Sequence, residues 1–416
     1  MKKPPSQSNN AVSRRRFLKY TTTAGVGAAV IARAGLAPPK VLGANDRVRL
    51  GAIGTGGRCR GLMSQLKKLP GNELIAVSDV YEPNLLRAAN LVGSNVRQHR
   101  DYRALLDSKE IDAVVIGSPD HWHKQMTIDA VRAGKDVYVE KPVSHSLEEG
   151  VELVRVVEAS KRVVQTGTQQ RSWEHFIRGK ELIDAGALGQ ITFVRAWWFQ
   201  NYNAHGVPKN FSPEKLDRKA WLGSAPPQEL TPMKFFWWRW YWDFGGGALT
   251  DLMTHWIDVV QWYMGTPAPL AVMTSGNRYV LGWECPDTIT CVLDYPKNYS
   301  VTYHGTMSSS IDDGGMEIRG TKATMRLDRE QLAVYAEGGE LIGNKEAIKP
   351  QTLIKSRGDG TPAHLQNFLD CVRSRQTPTA NIRVAHEAAR AAHLGNLSLK
   401  RQRRIKWDVR RERIEG

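Results

Sequence analysis

Lys141 stands in the triplet Glu140-Lys141-Pro142, and Asp251 and His255 stand four residues apart in GGGALTDLMTHWIDVVQWYMG. That stretch opens on three glycines and continues with apolar periodicity that predicts a helix from about Ala248 to Met264. On a helix, residues four apart share a face, and Asp258 lies one turn further along it. A carboxylate beside an imidazole orients the ring and raises its pKa, which suits it to take a proton from an alcohol as hydride departs. A zinc site built on the same pair needs a third ligand that the sequence does not single out, so no metal is expected. Asp258 reads either as a substrate contact or, with more weight, as a helix-surface or supporting carboxylate.

Upstream, residues 197 to 262 hold nine of the thirteen tryptophans, densest in PMKFFWWRWYWDF. Eight aromatics between Phe235 and Phe244 exceed what one buried face takes, and flat rings beside polar groups suit the apolar face of a pyranose. Trp238, Arg239 and Tyr241 are therefore candidate substrate contacts, with a pinned loop or a subunit contact as the competing explanation for the cluster.

Such groups need a scaffold. RVRLGAIGTGGRCRGLMSQL is an aliphatic run whose end glycines open an amphipathic stretch. Gly54 and Gly56 fit the first two places of GxGxxG, where a tight turn and a bare backbone let a pyrophosphate rest on the next helix N-terminus, with Gly57 and Arg58 beside them. Cys59 occupies the third place. Twenty residues further on, ELIAVSDV ends in Asp79, placed to accept both ribose hydroxyls of NAD and to repel a 2'-phosphate, which makes NADP the lesser candidate. Aliphatic strands then alternate with helices, which predicts a doubly wound parallel sheet with ligands at the strands' carboxyl ends. Those ends carry Ser118-Pro119-Asp120-His121, Glu140-Lys141-Pro142 and Thr166-Gly167-Thr168-Gln169. Ser118, Pro119, His121, Glu140 and Lys141 join the cofactor-binding candidates. From about Ala271 on, alternating segments separated by turns predict antiparallel strands, then a polar loop from about Glu340 to Gly360 and two closing helices that return to the first domain. His304, His364, His386 and His393 read as structural.

The chain has 416 residues and a formal net charge of +16. Residues 1 to 44 carry eight Lys/Arg and no acid, and residues 400 to 416 carry eight against three acids, which leaves 42 basic and 39 acidic groups between them. The near-balanced middle argues against a nucleic-acid partner, and the basic tail reads as a solvated face or subunit contact. Cys59, Cys285, Cys291 and Cys371 lack ligand or disulfide spacing and read as buried thiols. No apolar run reaches the roughly 18 to 20 residues of a membrane span. SRRRFLK, from Ser13 to Lys19, followed by a weakly apolar stretch, resembles a twin-arginine export signal, with Arg14 and Arg15 as its pair. Such a signal implies delivery to the periplasm by the twin-arginine export machinery, folded and with the cofactor inside.

Taken jointly, GAIGTGGR, SPDHWH, EKP, QTGTQQRS and GGGALTDLMTHWID resemble the Gfo/Idh/MocA oxidoreductases, the glucose-fructose oxidoreductase and inositol dehydrogenase family. The resemblance runs from about Val48 to Leu399. It implies an α/β chain: a Rossmann domain (45–168) after the signal (1–44), then an α+β domain (169–399) whose open, mostly antiparallel sheet carries homo-oligomer contacts, dimer or tetramer, and a tail (400–416). In the family pattern Lys141 lies between nicotinamide and substrate, and Asp251 and His255 supply the remaining catalytic groups. Two departures are Cys59 in the glycine loop and Leu252-Met253-Thr254, where many members have a glycine before the His. The Thr-His-Gly-Leu-Gly-Pro stretch of the glycoside-cleaving branch is absent. The expected activity is NAD-dependent oxidation of a sugar, polyol or glycoside, with tightly bound cofactor recycled on the enzyme. The alternatives are a redox-neutral glycoside-cleaving or epimerising enzyme, and a carbohydrate-binding protein that keeps NAD without turnover.

Overall fold

The computed structural model describes residues 47–206, 209–337 and 349–415; the proposed export signal lies outside the described residues. Six parallel strands, β1 (Val48–Ile53), β2 (Asn72–Ser78), β3 (Arg97–His99), β4 (Ala113–Ile116), β5 (Asp136–Val139) and β6 (Val164–Thr166), pair in the order β3-β2-β1-β4-β5-β6. β4 is an unbroken aliphatic run and every position of β4 and β5 is buried, because helices cover both faces of the sheet. The order reverses between β1 and β4. In open α/β sheets that crevice is where ligands bind.

The two closing helices tie this sheet to the rest of the chain. Helix Thr361–Ser374 buries Leu365, Phe368 and Leu369 in the core formed by Leu50, Leu62 and Tyr138. Helix Ile382–Arg401 starts at an Asn381 cap that accepts from the Arg383 and Val384 amides. Its first half packs Ile382, Ala385 and Ala389 with Ile53 and Val114, and its second half packs Ala391, Ala392 and Leu394 into the other domain's core.

The second sheet has ten strands: β7 (Ile191–Phe199), β8 (Ala271–Asn277), β9 (Thr288–Tyr295), β10 (Tyr299–Thr306), β11 (Gly314–Gly320), β12 (Ala323–Asp328), β13 (Gln331–Ala336), β14 (Thr352–Lys355), β15 (Ile405–Asp408) and β16 (Arg413–Ile414). Their order is β14-β13-β12-β11-β7-β10-β9-β8-β15-β16, antiparallel except for β7 beside β10. Alternation sets its faces: Tyr299, Val301 and Tyr303 of β10 are buried, while Ser300, Thr302 and His304 point the other way. His304 is satisfied within the sheet by Thr290, 3.3 Å away.

Two expectations change here. The polar loop contains an edge strand, β14, which pairs with β13 through Leu332–Ile354. The basic tail keeps its charged residues in water, and it also adds β15 to β8, burying Ile405 and Trp407. Period-2 burial of two apolar residues outweighs the surrounding charge, which stays in water on the other face. No helix among the described residues is long and apolar enough to cross a membrane.

Candidate active site

The glycine loop follows directly from β1. Gly54 has φ +67°, and a Cβ there would lie 2.6 Å from the Ser118 amide nitrogen, so only glycine fits. A Cβ on Gly56 or Gly57 would meet nothing within 4 Å. These two residues leave open space ahead of the helix Gly57–Leu66, whose free N–H groups and dipole favour an anion. The cysteine in the third motif place is accommodated from the opposite side: a Cβ on Gly117, at the end of β4, would lie 2.7 Å from that of Cys59. The helix approaches the sheet closely because the neighbouring strand supplies the missing glycine. Burial pushes the Cys59 thiol up to about 12, and it is inert.

Asp79 directly follows β2, with its carboxylate accepting the Tyr81 amide at 2.8 Å and the Thr55 hydroxyl at 3.3 Å. Burial pushes its pKa up to about 6, against the pull of those hydrogen bonds. A cleft of about 420 Å³, within the range of small-molecule sites, runs from Asp79, Asn84 and Arg87 past the glycine loop to Ser118, Pro119, Trp238 and Arg239. Ser118 Oγ is buried with no partner among the described residues. An open cradle at a helix N-terminus, a carboxylate at the end of the second strand and an unpaired hydroxyl between them fit a dinucleotide, held by Gly54, Gly56, Gly57, Arg58, Asp79, Ser118 and Pro119.

This arrangement sets a pH dependence. A carboxylate that accepts ribose hydroxyls binds them best when ionised, so NAD affinity should fall as pH drops through about 6. Asp79→Ala should weaken NAD by roughly 1.5–3 kcal/mol at neutral pH and abolish that dependence. Titration calorimetry at pH 5 and pH 8 reads both; wild-type affinity that is flat between them would remove Asp79 from the ribose.

The structure regroups the catalytic candidates. Lys141 Nζ donates to Asp251 Oδ1 and to the Asp251 carbonyl, both at 2.6 Å. Arg239 Nε donates to the same carboxylate at 3.1 Å while its guanidinium lies 4.2 Å over the Trp238 ring. Burial opposes the charge on Asp251, but the Lys141 and Arg239 cations hold its pKa below the ordinary carboxylate value.

Asp251 does not hold the imidazole. The predicted helix opens with a π turn over Leu249–Met253, in which the Thr254 hydroxyl reaches back to the Leu249 carbonyl at 3.2 Å, and Thr254–Met264 continues as α-helix. One extra residue in that turn breaks the four-residue register, so Asp251 meets Lys141 while His255 Nδ1 meets Gln170 Oε1 at 3.0 Å. With no carboxylate against it, His255 is lowered well below its usual pKa by burial and then by the Lys141, Arg329 and Arg58 cations. Its ring stacks on Trp198 at 5.8 Å.

Other candidates separate. Glu140 accepts from Arg58 Nε at 2.7 Å, which keeps Arg58 charged and fixed along the cleft wall. His121 turns away from the cleft, its Nε2 3.1 Å from the Trp221 carbonyl and its ring against Trp221 and Phe244; burial lowers it to about 4. Asp258 is fully buried, with both oxygens 2.8 Å from Arg171 Nε, so it is closed to a substrate. Tyr241 packs in the core beneath Lys234, and most of the aromatic segment does likewise: Trp240 stacks on Trp283 at 4.8 Å, and Phe235 and Phe244 are buried. Only Trp238 and Arg239 of the predicted substrate contacts face the cleft.

Two residues escaped the reading of single motifs. Asp120 is a buried carboxyl raised well above its usual pKa by burial, against the pull of Arg239 and Lys141. Gln170 is the imidazole's partner. Both stand in segments already marked, SPDHWH and QTGTQQRS, at the carboxyl ends of strands.

Comparison with known proteins agrees with this architecture. The model of the GFO/IDH/MocA oxidoreductase family's NAD-binding Rossmann fold matches residues 48–168, and that of the GFO/IDH/MocA C-terminal domain matches residues 176–326. A glycosyl hydrolase family 109 protein of Parabacteroides distasonis is 34% identical over 168 residues, 36% of this chain and 36% of the relative. Inositol 2-dehydrogenase of Salmonella typhimurium is 29% identical over 150 residues, 35% of this chain and 43% of the relative. The chain thus spans less than half the length of either curated relative. Levoglucosan dehydrogenase, solved in complex with NADH and levoglucosan, superimposes with a TM-score of 0.70 at 17% identity, covering 86% of this chain and 99% of that one.

Proposed function

The chain belongs to the GFO/IDH/MocA oxidoreductase family, and from that premise we propose that it oxidises a carbon-bound hydroxyl of a sugar or polyol, with NAD as the hydride acceptor. The observation that carries this reading is the ion-paired cluster of Lys141, Asp251 and Arg239, with His255 kept neutral by burial and by the Lys141 cation, joined through Arg239 to the wall of the cleft that holds the dinucleotide cradle. NAD, when bound, accepts hydride at nicotinamide C4. Lys141, held as an ion-paired ammonium by Asp251, steadies the developing alkoxide oxygen, and His255 takes the hydroxyl proton. Trp238 and Arg239 present a flat ring and a donor fork to the sugar.

Two further parts of the proposal come from the sequence. The Arg14-Arg15 pair supports export to the periplasm by the twin-arginine machinery, where a cofactor that stays bound must be regenerated on the enzyme. Outward-facing Met273 and Val292, directly opposed across β8 and β9 and 44% and 38% exposed, support a homo-oligomer through the open sheet. The likeness to a family 109 glycosyl hydrolase favours one second reading, in which oxidation is transient and the net reaction is glycoside cleavage or epimerisation.

One preparation tests these points. Cell fractionation should find the wild type in the periplasm and an Arg14→Lys, Arg15→Lys double variant retained in the cytoplasm, since lysine keeps charge but loses the guanidinium fork. Denaturing the purified protein should release NAD or NADH. Sugars and polyols, with myo-inositol and levoglucosan among them, should change the nicotinamide absorbance of the holoenzyme. Product release from an aryl glycoside without net absorbance change would move the conclusion to the redox-neutral reading. Bound dinucleotide that no compound reduces or oxidises would sink both.

A further inference from the structure

We propose that Gln170 is the positioning residue of the site: it locks His255 in the tautomer with the proton on Nδ1, so that Nε2 is the atom that accepts the substrate proton. This rests on the alcohol-oxidation reading for its function, but its geometry stands alone. Gln170 is fully buried in the turn Gln169–Ser172 that leaves β6, 85 residues before His255 in sequence, and its Oε1 lies 3.0 Å from His255 Nδ1. A carboxamide oxygen only accepts, so Nδ1 must carry the hydrogen. No protein group among the described residues hydrogen-bonds His255 Nε2, which therefore keeps its lone pair. Trp198 stacks on the ring and fixes its plane.

An amide partner differs from a carboxylate in what it does to proton affinity. A carboxylate in this place would favour the imidazolium, whereas Gln170 fixes the same orientation without adding charge. The charged groups that face His255 are Lys141 after β5, Arg58 on the helix of the glycine loop and Arg329 between β12 and β13, and all are cations that disfavour a charged ring. The base therefore remains unprotonated well into the acid range. Gln170 Nε2, buried and without a partner among the described residues, is left to donate to a substrate oxygen beside the same ring.

The test uses the full-length protein labelled with ¹⁵N-histidine, with the His255 signals assigned by their loss in His255→Gln. Long-range ¹H–¹⁵N spectra should show the Nδ1–H tautomer of His255, with protonation only well below the usual histidine range. In Gln170→Ala the Nε2–H form should appear. In Gln170→Glu the Nδ1–H geometry should persist while the ring protonates at a pH higher by about 1–3, the scale of an opposite charge in contact. An Nε2–H tautomer in the wild type, or a tautomer unchanged in Gln170→Ala, would overturn the proposal, and neither result needs a substrate. Once the screen yields one, kcat/KM should lose its acid limb at higher pH in Gln170→Glu and keep its position, with a kcat about 10- to 100-fold lower, in Gln170→Ala. A locked Nδ1–H tautomer in a protein that turns over no sugar would leave Gln170 as positioned and defeat the oxidoreductase reading instead. A pH limb that does not move in Gln170→Glu would overturn the positioning role.

Discussion

Replacing Lys141 or His255 by Ala lowers kcat about 10²- to 10⁴-fold, the usual range for a positioned acid or base, and the double variant loses less than the product of the two. The reason is that alkoxide stabilisation and proton removal serve one bond-breaking event, and each is of little use without the other. Their geometry also assigns Asp251 a larger part than orienting an imidazole. It binds Lys141 Nζ at 2.6 Å and Arg239 Nε at 3.1 Å, so Asp251→Asn releases two cations together and should fall with Lys141→Ala rather than stay mild. All three variants should bind NAD like the parent, since none touches the glycine loop. Single-turnover rates with the screened substrate, alongside NAD titrations, read each outcome. Near wild-type turnover in His255→Ala would place the proton acceptor elsewhere.

Asp258→Ala should cost about 3–5 kcal/mol of stability, the scale for breaking a buried ion pair. Both carboxylate oxygens meet Arg171 Nε at 2.8 Å, Arg171 Nη2 also reaches the Asp258 carbonyl at 3.4 Å, and the guanidinium lies 5.5 Å over Trp262. Removing the carboxylate strands the Arg171 charge among apolar groups. Replacing both residues together, as Asp258→Leu with Arg171→Met, removes the charge and its partner at once and should recover most of the loss. Denaturant midpoints of the single and double variants measure this. If Asp258→Ala unfolds like the wild type but loses sugar binding, Asp258 is a substrate contact after all, and its pairing with Arg171 is incidental.

The elements themselves were legible. Aliphatic-rich runs followed by glycine or an acid mark β1, β2 and β4, and the spacing from Gly54 to Asp79 places a cradle and a ribose acceptor at one sheet edge, because both depend on local backbone geometry and a short crossover. Antiparallel strands in the second domain were legible for the same reason, since alternation is a local property. Errors arose where a weak local signal met a long-range one. Basic residues around Ile405 and Trp407 hid a strand that is stabilised by pairing with β8, far along the chain, and with β16. Eight aromatics in ten residues suggested a sugar platform, but most are claimed by core partners such as Trp283 that lie far along the chain.

The sequence by itself determined which residue types stand at the carboxyl ends of the strands, and hence that Asp79 and the glycines line one crevice. Tertiary structure alone decided who pairs with whom. Lys141 and Asp251 are 110 residues apart, Gln170 and His255 are 85, and Arg171 and Asp258 are 87. Periodicity reports the face of an element that a side chain occupies, but a hydrogen-bond partner is set by how two elements dock and by the turn between them. One π turn at Leu249–Met253 sufficed to send Asp251 to a lysine and leave the imidazole to an amide.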